Sequence, residues 1–257
     1  MGRIAKQKRF FKTVHHYVWH DLAIALVILL PLVAAVYALI SSRTFQLGGD
    51  LVRSVETSQK VVALTFDDGP EPPYSDQLLS ILKDKGVKAT FFLIGQEMQR
   101  HPAATQRLID SGNQIGNHTL THDGLAFVSP SYIAWQIEST DRIIRNHGYD
   151  GTIPFRPPYG MKLIWLPQYL QQHDRPNIMW TVVADDNNAA QATRQIRHRV
   201  LSQLKPGMII DMHAMYAHNK PVRDVLPRLI DDIKAAGYRF VTVDQLLTYS
   251  HGHKSND

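Results

Sequence analysis

Short apolar segments alternate with longer amphipathic segments along most of this chain, and this alternation restricts its fold more than any other feature. Segments rich in Val, Ile and Phe, such as 87–94, 178–183 and 208–212, predict strands, and 152–155 predicts a short one. Segments with apolar residues at helical spacing, such as 75–85, 130–146 and 221–236, predict helices between them. Ser129 followed by Pro130 is a typical helix start. About seven alternations of this kind are typical of an α/β domain with a mainly parallel sheet. The sequence therefore predicts a distorted (β/α) barrel with mostly parallel strands.

The predicted strand that begins at Val61 ends in two adjacent carboxylates, Asp67 and Asp68, followed by Gly69 and Pro70. Side chains alternate along a strand, so these two carboxylates are expected to leave it in different directions. One of them can then bind a metal ion while the other stays free as a base. Because Asp, Gly and Pro are also the usual residues of turns, the same stretch is consistent with an ordinary turn. The rest of the chain decides between these interpretations.

Polar residues with catalytic potential recur at or just past the ends of the predicted strands. In parallel barrels these ends form one face, and catalytic residues collect there. Ordinary turns do not explain so many such residues at one rim, so the pattern favours an active site. The residues are Asp67, Asp68, His118, Arg156, Asp185 or Asp186, and His213.

His118 and His122 are four residues apart, which brings both rings to one side if the segment turns helically. Such a pair alone is more typical of a solvated surface. Together with Asp68 it makes a set of two histidines and one carboxylate with open positions. This set suits Zn²⁺ or another divalent ion, such as Co²⁺, Ni²⁺ or Mn²⁺. The chain has no Cys, so any metal must use His and carboxylate ligands.

Three more residues have predicted roles beside such an ion. Asp67, next to the ligand but unbound, is suited to take a proton from water. His213, from another strand end, is suited to protonate the leaving group, although a core histidine is the plainer interpretation. Arg156 is suited to pair with Asp67 and keep it ionised, which is compatible with a purely structural salt bridge.

Three motifs in this order resemble those of the polysaccharide deacetylases, the NodB-homology group of carbohydrate esterase family 4. They are Thr-Phe-Asp-Asp-Gly-Pro at 65–70, Asn-His-Thr-Leu-Thr-His at 117–122 and Phe-Arg-Pro-Pro-Tyr-Gly at 155–160. The sequences at 87–92 and 237–243 are also typical of the family, and the resemblance covers about 61–247. It implies a barrel of parallel strands and metal-dependent removal of acetyl groups. The implied substrates are N-acetylglucosamine units of peptidoglycan, chitin or related polymers, or O-acetyl groups of xylan.

The resemblance also implies a role for each matching residue. The implied roles are Asp67 as general base, Asp68, His118 and His122 as metal ligands, Arg156 as the residue that orients the base, Tyr159 as the source of a backbone N–H for the oxyanion, and His213 as general acid. Apart from that of Tyr159, these roles agree with those argued above from position and chemistry.

The fourth motif departs from the family pattern, which usually has two Asp three residues apart, the second followed by Trp. Counted from Trp180, these places hold Val183, Asp186 and Asn187. Asp186 is therefore the predicted acidic partner of the acid histidine, with Asp185 as its alternative.

The fifth motif departs as well, because Asp211 and Ala214 stand where the family usually has Leu and Asp in Leu-x-His-Asp. The family Leu helps to line the pocket for the acetyl methyl group. The pocket of this chain is then either more polar or lined by other residues, for which Met212, Met215 and Tyr216 are candidates. These departures bear on the substrate more than on the reaction.

The N-terminus predicts a membrane anchor. Residues 1–12 carry several basic side chains and no acid, and the run 22–40 has no charge. As a helix this run rises roughly 28 Å, close to the hydrocarbon core of about 30 Å. We predict a cytoplasmic segment at 1–20, a transmembrane anchor at 21–40, a linker at 41–60, the deacetylase domain at 61–248 and a polar tail at 249–257. The alternative to an uncleaved anchor is a cleaved signal peptide.

This organisation predicts a single-pass plasma-membrane protein with an extracytoplasmic catalytic domain, because the basic flank stays in the cytoplasm. The expected partners are an acetylated glycan polymer and the membrane. The net charge of +5 does not indicate nucleic acid, since several of the basic residues lie in the first twelve positions. The oligomeric state stays open.

Three functions are consistent with these features. The first is metal-dependent removal of N-acetyl groups from N-acetylglucosamine units, with peptidoglycan as the preferred polymer. The second, suggested by the polar Asp211, is deacetylation of an O-acetyl ester or a lipid-linked sugar. The third, suggested by the altered fourth and fifth motifs, is a catalytically silent glycan-binding protein.

Overall fold

The computed structural model describes His20, residues 25–184 and residues 192–250. The chain divides into two compact units, Met1–Ser41 and Ser42–Asp257. In the first unit, helix α1 covers the described residues 25–41. Among the described residues, no helix combines the length and the apolar character that a membrane crossing needs. The anchor predicted at 21–40 stays a prediction.

Every pairing between the strands of the second unit is parallel, which confirms the predicted parallel α/β fold. Five strands lie in the order β4-β3-β2-β7-β6, with β8 also beside β2, and β1 pairs with β5. The strands are β1 Leu51–Val52, β2 Val61–Asp67, β3 Thr90–Leu93, β4 Gln114–Asn117, β5 Asn177–Ile178, β6 Val182–Val183, β7 Met208–Met212 and β8 Arg239–Val241.

Single bridges at Phe155 continue the pairing from β4 to β5, because this residue contacts Asn117 on one side and Asn177 on the other. The strand predicted at 152–155 is therefore reduced to one bridge. Prolines explain this, since Pro154 and Pro157 have no N–H to donate to a ladder. The result is a ring of strands with an irregular sector, as expected of a distorted barrel.

The strand predicted at 178–183 is divided into β5 and β6, because the chain changes partner between them. Met179 donates its backbone N–H to Val52 of β1 at 2.7 Å, and Thr181 donates to Ile209 of β7 at 2.9 Å. One continuous ladder cannot serve both neighbours. The chain therefore passes from the ladder with β1 to the ladder with β7.

Helices cover the outside of the barrel, and most begin and end close to the predicted limits. They are α2 Tyr74–Lys85, α3 Gly95–Arg100, α4 Pro102–Asp110, α5 Pro130–Asn146, α6 Trp165–Gln172, α7 Ala192–Leu201, α8 Lys220–Ala235 and α9 Val243–Leu247. Ser129 caps α5 by accepting from the N–H of Tyr132, and Pro130 occupies the first turn. The short helices α3 and α6 were not predicted, since neither offers enough turns for a clear apolar period.

Residues 42–60, predicted as a linker, belong to the second unit and pair with its strands. Strand β1 pairs with β5, and Ser54 bridges Met208 of β7. The side chain of Asn177 also donates to Gln46 at 2.9 Å. The segment covers an edge that β5 would otherwise leave open. The predicted tail lies outside the described residues from position 251 onward.

Strand β2 lies at the centre of the sheet, and all seven of its residues are buried. Strand β7 pairs along one edge, while β8 and β3 share the other edge end to end. A strand buried on both faces reads as a nearly continuous apolar run, which is the pattern seen before Asp67. The fold therefore delivers Asp67 to the middle of the face formed by the strand ends.

Phe66 is the large core side chain next to the site, fully buried and 5.3 Å from the ring centroid of Phe91. We expect Phe66→Ala to lower the free energy of unfolding by about 3–5 kcal/mol through lost burial and a residual cavity. Urea unfolding of the two proteins measures this difference. Phe127→Ala is the matched control, because Phe127 is 74% exposed. Equal losses in both variants would contradict this assignment of the core.

Candidate active site

Asp67 and Asp68 diverge at the end of β2, as the strand alternation predicts. Asp67 is buried, whereas Asp68 is partly buried and has a left-handed backbone with φ of 74°. Gly69 continues the turn with φ of 58°, and a Cβ there would lie 2.9 Å from the sulfur of Met215. Only glycine fits this position without moving the core. The turn thus directs Asp67 to Arg156 and Asp68 to His122, while both carboxylates stay close to Nε2 of His118.

Asp68, His118 and His122 converge on one point. Oδ1 of Asp68 lies 3.2 Å from Nε2 of His122 and 3.7 Å from Nε2 of His118. Ligand atoms bound to one tetrahedral Zn²⁺ at about 2.0–2.2 Å are about 3.3–3.6 Å apart, so these separations fit a shared ion. Oδ1 of Asp68 is buried and accepts no hydrogen bond of good geometry from any described residue. A buried oxygen in this position is suited to a metal.

The charge state of Asp68 also fits a metal ligand. Burial alone would raise the pKa of this carboxyl group, because it disfavours the charged form. Contact with His122 and the neighbouring imidazoles of His118 and His213 outweigh burial and lower the pKa of Asp68 to about 2. The group is therefore ionised at neutral pH.

His118 presents a neutral ring with a defined tautomer. Burial lowers its pKa below the usual value, although Asp67 and Asp68 act in the opposite direction. Its Nδ1 lies 2.8 Å from the backbone carbonyl of Arg156. A carbonyl can only accept, so Nδ1 carries the proton and Nε2 is left without one. Neutral imidazole with a free Nε2 is the form that binds metals.

The segment from His118 to His122 is a loop, so the helical turn suggested by the four-residue spacing is wrong. Asn117 accepts from the backbone N–H of Thr119 at 2.8 Å. Gln136 of α5 accepts from the next two backbone N–H groups at 2.7 and 3.0 Å. The ring centroids of the two histidines nevertheless lie 5.0 Å apart. Buried side-chain amides, not a helix, bring the two ligands together.

Unfavourable backbone conformations concentrate at this site. Among the described residues, five that are not glycine have positive φ, and four of them are Asp68, Thr119, His122 and Tyr159. A left-handed conformation costs an ordinary residue roughly 1–3 kcal/mol, so the surrounding structure must hold it. Such clusters are typical of functional sites, because the chemistry and not the stability dictates where the side chains lie.

Arg156 is fully buried and connects the site to the sheet. Its Nη1 donates to Asp67 Oδ1 at 2.6 Å, to Thr65 Oγ1 at 2.8 Å and to Asp211 Oδ1 at 3.1 Å. The predicted pairing of Arg156 with Asp67 is therefore present. Asp211 is a second carboxylate on the same guanidinium, so its charge is engaged in the interior.

The remaining contacts of Arg156 hold its guanidinium in place. Nε donates to the carbonyl of Ile178 at 3.1 Å and Nη2 to that of Met179 at 3.2 Å. The ring of Phe92 lies 4.1 Å from the guanidinium carbon. With both ends of the group bonded and one face covered, Nη1 has a fixed direction toward the carboxylates.

His213 lies on the open side of Asp68. Its Nε2 is 4.0 Å from Oδ2 of Asp68, and its side chain is 31% exposed. A ring nitrogen of His213 and carboxylate oxygens of Asp67 and Asp211 lie within 4.8 Å of one another. A partly exposed imidazole close to the metal-ligand group can exchange protons with both solvent and a bound substrate.

Tyr159 lies beside His122, with its ring centroid 4.8 Å away and its backbone at φ of 58°. Its predicted use of a backbone N–H for an oxyanion stays a prediction. The predicted acidic partner Asp186 and its alternative Asp185 lie outside the described residues.

Several residues that hold the site were not found from the sequence. The sequence did not predict that Thr65 and Asp211 bind Arg156. It also did not predict that Asn117 and Gln136 hold the loop from His118 to His122. Gln136 carried a usable signal, because it is a polar residue among apolar positions on one side of the predicted α5. Asp211 also carried one, as a carboxylate inside an otherwise apolar strand.

Taken together, the site combines three kinds of group. It has a place for one divalent cation, a buried carboxylate held by an arginine, and a partly exposed imidazole. This arrangement is suited to hydrolysis of a carbonyl compound, because it offers a Lewis acid, a base and an acid around one substrate position.

Comparison with known proteins agrees with this class of site. The polysaccharide deacetylase family model matches residues 54–178. A peptidoglycan-N-acetylglucosamine deacetylase of Bacillus cereus is 35% identical over 195 residues, which cover 75% of this chain and 70% of that protein.

Solved structures are similar as well. The Bc1960 peptidoglycan N-acetylglucosamine deacetylase, in complex with 4-naphthalen-1-yl-N-oxidanyl-benzamide, has a TM-score of 0.71 and 33% identity. The match covers 77% of this chain and 92% of that one. A mutant of BA3943, a family 4 pseudoenzyme from Bacillus anthracis with restored activity, has a TM-score of 0.68 and 27% identity. That match covers 78% of this chain and 72% of the other.

The chain therefore belongs to the polysaccharide deacetylase family, a class of carbohydrate esterases. The family and the enzyme class predicted from the three motifs are confirmed. Its relatives include proteins named as peptidoglycan deacetylases.

We expect Zn²⁺ to bind at Asp68, His118 and His122. Loss of one ligand, as in Asp68→Asn, His118→Ala or His122→Ala, should weaken Zn²⁺ binding by more than about 100-fold, because even outer-shell partners contribute about 10- to 100-fold. Isothermal titration of metal-free protein measures the affinity.

His213→Ala is the matched control for this titration, and we expect it to keep its Zn²⁺ affinity. A loss equal to that of the ligand variants would instead favour the second group, Asp67, Asp211 and His213. The Arg156 guanidinium already neutralises that group, which is the reason we expect the ion elsewhere.

Proposed function

We propose that this protein is a metal-dependent deacetylase that hydrolyses the N-acetyl groups of N-acetylglucosamine units in peptidoglycan. One observation carries the proposal. Asp68, His118 and His122 converge on one point. Asp67, which is bound by Arg156, and His213 lie next to the same point at the ends of different strands. Similarity to proteins named as peptidoglycan deacetylases supports the choice of substrate.

A divalent ion held by the three ligands would supply a Lewis acid for the acetyl carbonyl and for the attacking water. Zn²⁺ is the first choice, with Co²⁺, Ni²⁺ or Mn²⁺ as alternatives, because two imidazoles and one carboxylate suit all of these ions. The neutral His118 and the ionised Asp68 are in the protonation states that such binding requires.

Asp67 is the group that takes the proton of the water. Arg156 binds its Oδ1, and its Oδ2 lies 3.8 Å from Nε2 of His118, on the side of the ligand group. The base is thus held next to the place where water attacks, with one oxygen free of the arginine. A carboxylate fixed in this way needs no rearrangement before it accepts the proton.

His213 is the group that protonates the leaving amine. It stands on a different strand from Asp67, so the acid and the base approach the acetamide from different sides. The reaction balances as one amide plus one water giving one amine and one acetate. Tyr159, whose ring lies beside that of His122, is the proposed donor of a backbone N–H to the oxyanion.

We test the reaction by measuring acetate release by the full chain from peptidoglycan and from N-acetylglucosamine oligomers, with Zn²⁺, with Co²⁺ and with chelator. We expect release only with metal. Asp67→Asn should lower kcat by about 10²- to 10⁴-fold, the usual contribution of a general base, and leave Zn²⁺ affinity unchanged.

The control for Asp67→Asn is Asp232→Asn. This change removes the partly exposed partner of Arg197 in α8 and should leave kcat unchanged. Glycan binding without acetate release under any metal condition would contradict the proposal and favour a silent glycan-binding homologue. Release from O-acetyl esters alone would favour the esterase alternative.

We further propose that the chain is anchored in the plasma membrane by residues 21–40, with the catalytic domain outside the cytoplasm. The charge-free run at 22–40 and the basic residues before it support this arrangement. It would hold the domain beside the wall polymer.

Protease treatment of intact cells that express the full chain tests the topology. We expect the domain to be digested and a fragment with the basic N-terminus to stay in the membrane fraction. A domain that is digested only after lysis would contradict this orientation. Culture medium that contains the domain from about residue 41 onward would indicate a cleaved signal peptide.

A further inference from the structure

Asp211 is a buried carboxylate near the C-terminal end of β7, and none of the roles above requires it. It is 1% exposed, and its Oδ1 accepts from Nη1 of Arg156 at 3.1 Å. The same nitrogen donates to Asp67, the base of the proposed reaction. Two carboxylates therefore share one fixed guanidinium nitrogen.

The strand register explains how Asp211 reaches this position. It pairs with Thr65 of β2 on one side and with Val183 of β6 on the other. Residues paired in a parallel sheet point to the same face, as do residues two apart on one strand. Asp211 and His213 thus face the same side of the sheet as Thr65 and Asp67.

Val183, the residue of β6 that pairs with Asp211, also differs from the family pattern. In the fourth motif that this chain resembles, an Asp is usual at that position, and in the fifth motif a Leu is usual at the position of Asp211. Here the acid and the aliphatic residue are exchanged between two directly paired positions of β6 and β7. Neighbouring strands are about 4.8 Å apart, so either position can bring a carboxylate to the same side of the sheet.

We propose that Asp211 is a positioning residue of the deacetylase site, and that it replaces, from the neighbouring strand, the carboxylate that is absent at Val183. It acts through Arg156, whose position it fixes together with Asp67. This inference rests on the proposed deacetylation.

The charges of the site support this role. A guanidinium as deeply buried as that of Arg156 needs acidic partners, because an uncompensated charge in the interior is unfavourable. If Asp67 were the only acid on this fixed nitrogen, its carboxylate could rotate into the place that Oδ1 of Asp211 now occupies, and the base would shift. Asp211 holds one side of Nη1, which leaves the Asp67 carboxylate in one orientation with Oδ2 on the side of the ligand group.

Exchange of the two side chains is the experiment that tests this inference. The proteins compared are the full chain, Asp211→Asn, Asp211→Leu, Val183→Asp and the double variant Val183→Asp with Asp211→Leu. The measurements are kcat and KM for acetate release from N-acetylglucosamine oligomers with Zn²⁺, and the melting temperature of each protein. Asp232→Asn is the control for loss of an acid elsewhere.

We expect Asp211→Asn and Asp211→Leu to lower kcat by about 10- to 100-fold, with KM changed less than about twofold, as for other outer-shell partners. The double variant should recover at least about tenfold of the loss in Asp211→Leu. Val183→Asp should lower the melting temperature of the full chain, where it adds a third carboxylate, but raise that of Asp211→Leu. This reversal of sign is not expected of a residue that only fills space.

Two outcomes would overturn the inference. One is a kcat of Asp211→Asn equal to that of the unchanged protein. The other is a double variant no better than Asp211→Leu in both kcat and melting temperature. Absence of acetate release from the unchanged protein would instead overturn the proposed function and the role in it together, so the two failures are distinguishable.

Discussion

The structure of the site depends on the buried guanidinium of Arg156. Its side chain binds Asp67 and Asp211, and its backbone carbonyl accepts from Nδ1 of His118. One residue thus fixes the base and the tautomer of a metal ligand. Removing a charge from water costs several kcal/mol unless acids and hydrogen bonds compensate it, so the guanidinium and its partners define each other's positions. Arg156 therefore links the base to one of the metal ligands.

The loops that hold the ligands are the second requirement. Positive φ at Asp68, Thr119, His122 and Tyr159 is unfavourable for each residue alone. Buried side-chain amides such as those of Asn117 and Gln136 compensate by fixing the backbone N–H groups of the histidine loop. The core therefore supplies the stability that the site lacks.

Much of the fold could be predicted because its signals are local. The period of apolar residues located α5 and β7 within one residue, and the cap at Ser129 marked the beginning of α5. Local signals failed where partners distant in sequence decide the outcome. Phe155 forms only bridges because prolines surround it, and residues 42–60 become part of the domain because β5 offers an open edge.

The sequence by itself determined the family, the parallel α/β class and the identity of the metal-ligand, base and acid candidates. These follow from residue types and their order, since few chemistries require two adjacent carboxylates, a histidine pair and a buried arginine together. Only the tertiary structure decided that His118 and His122 meet through a loop. It also decided that Asp211 accepts a hydrogen bond from Arg156 and pairs with Val183 of the neighbouring strand. The physical reason is that strand register and burial arise from pairing between distant segments, which local patterns do not encode.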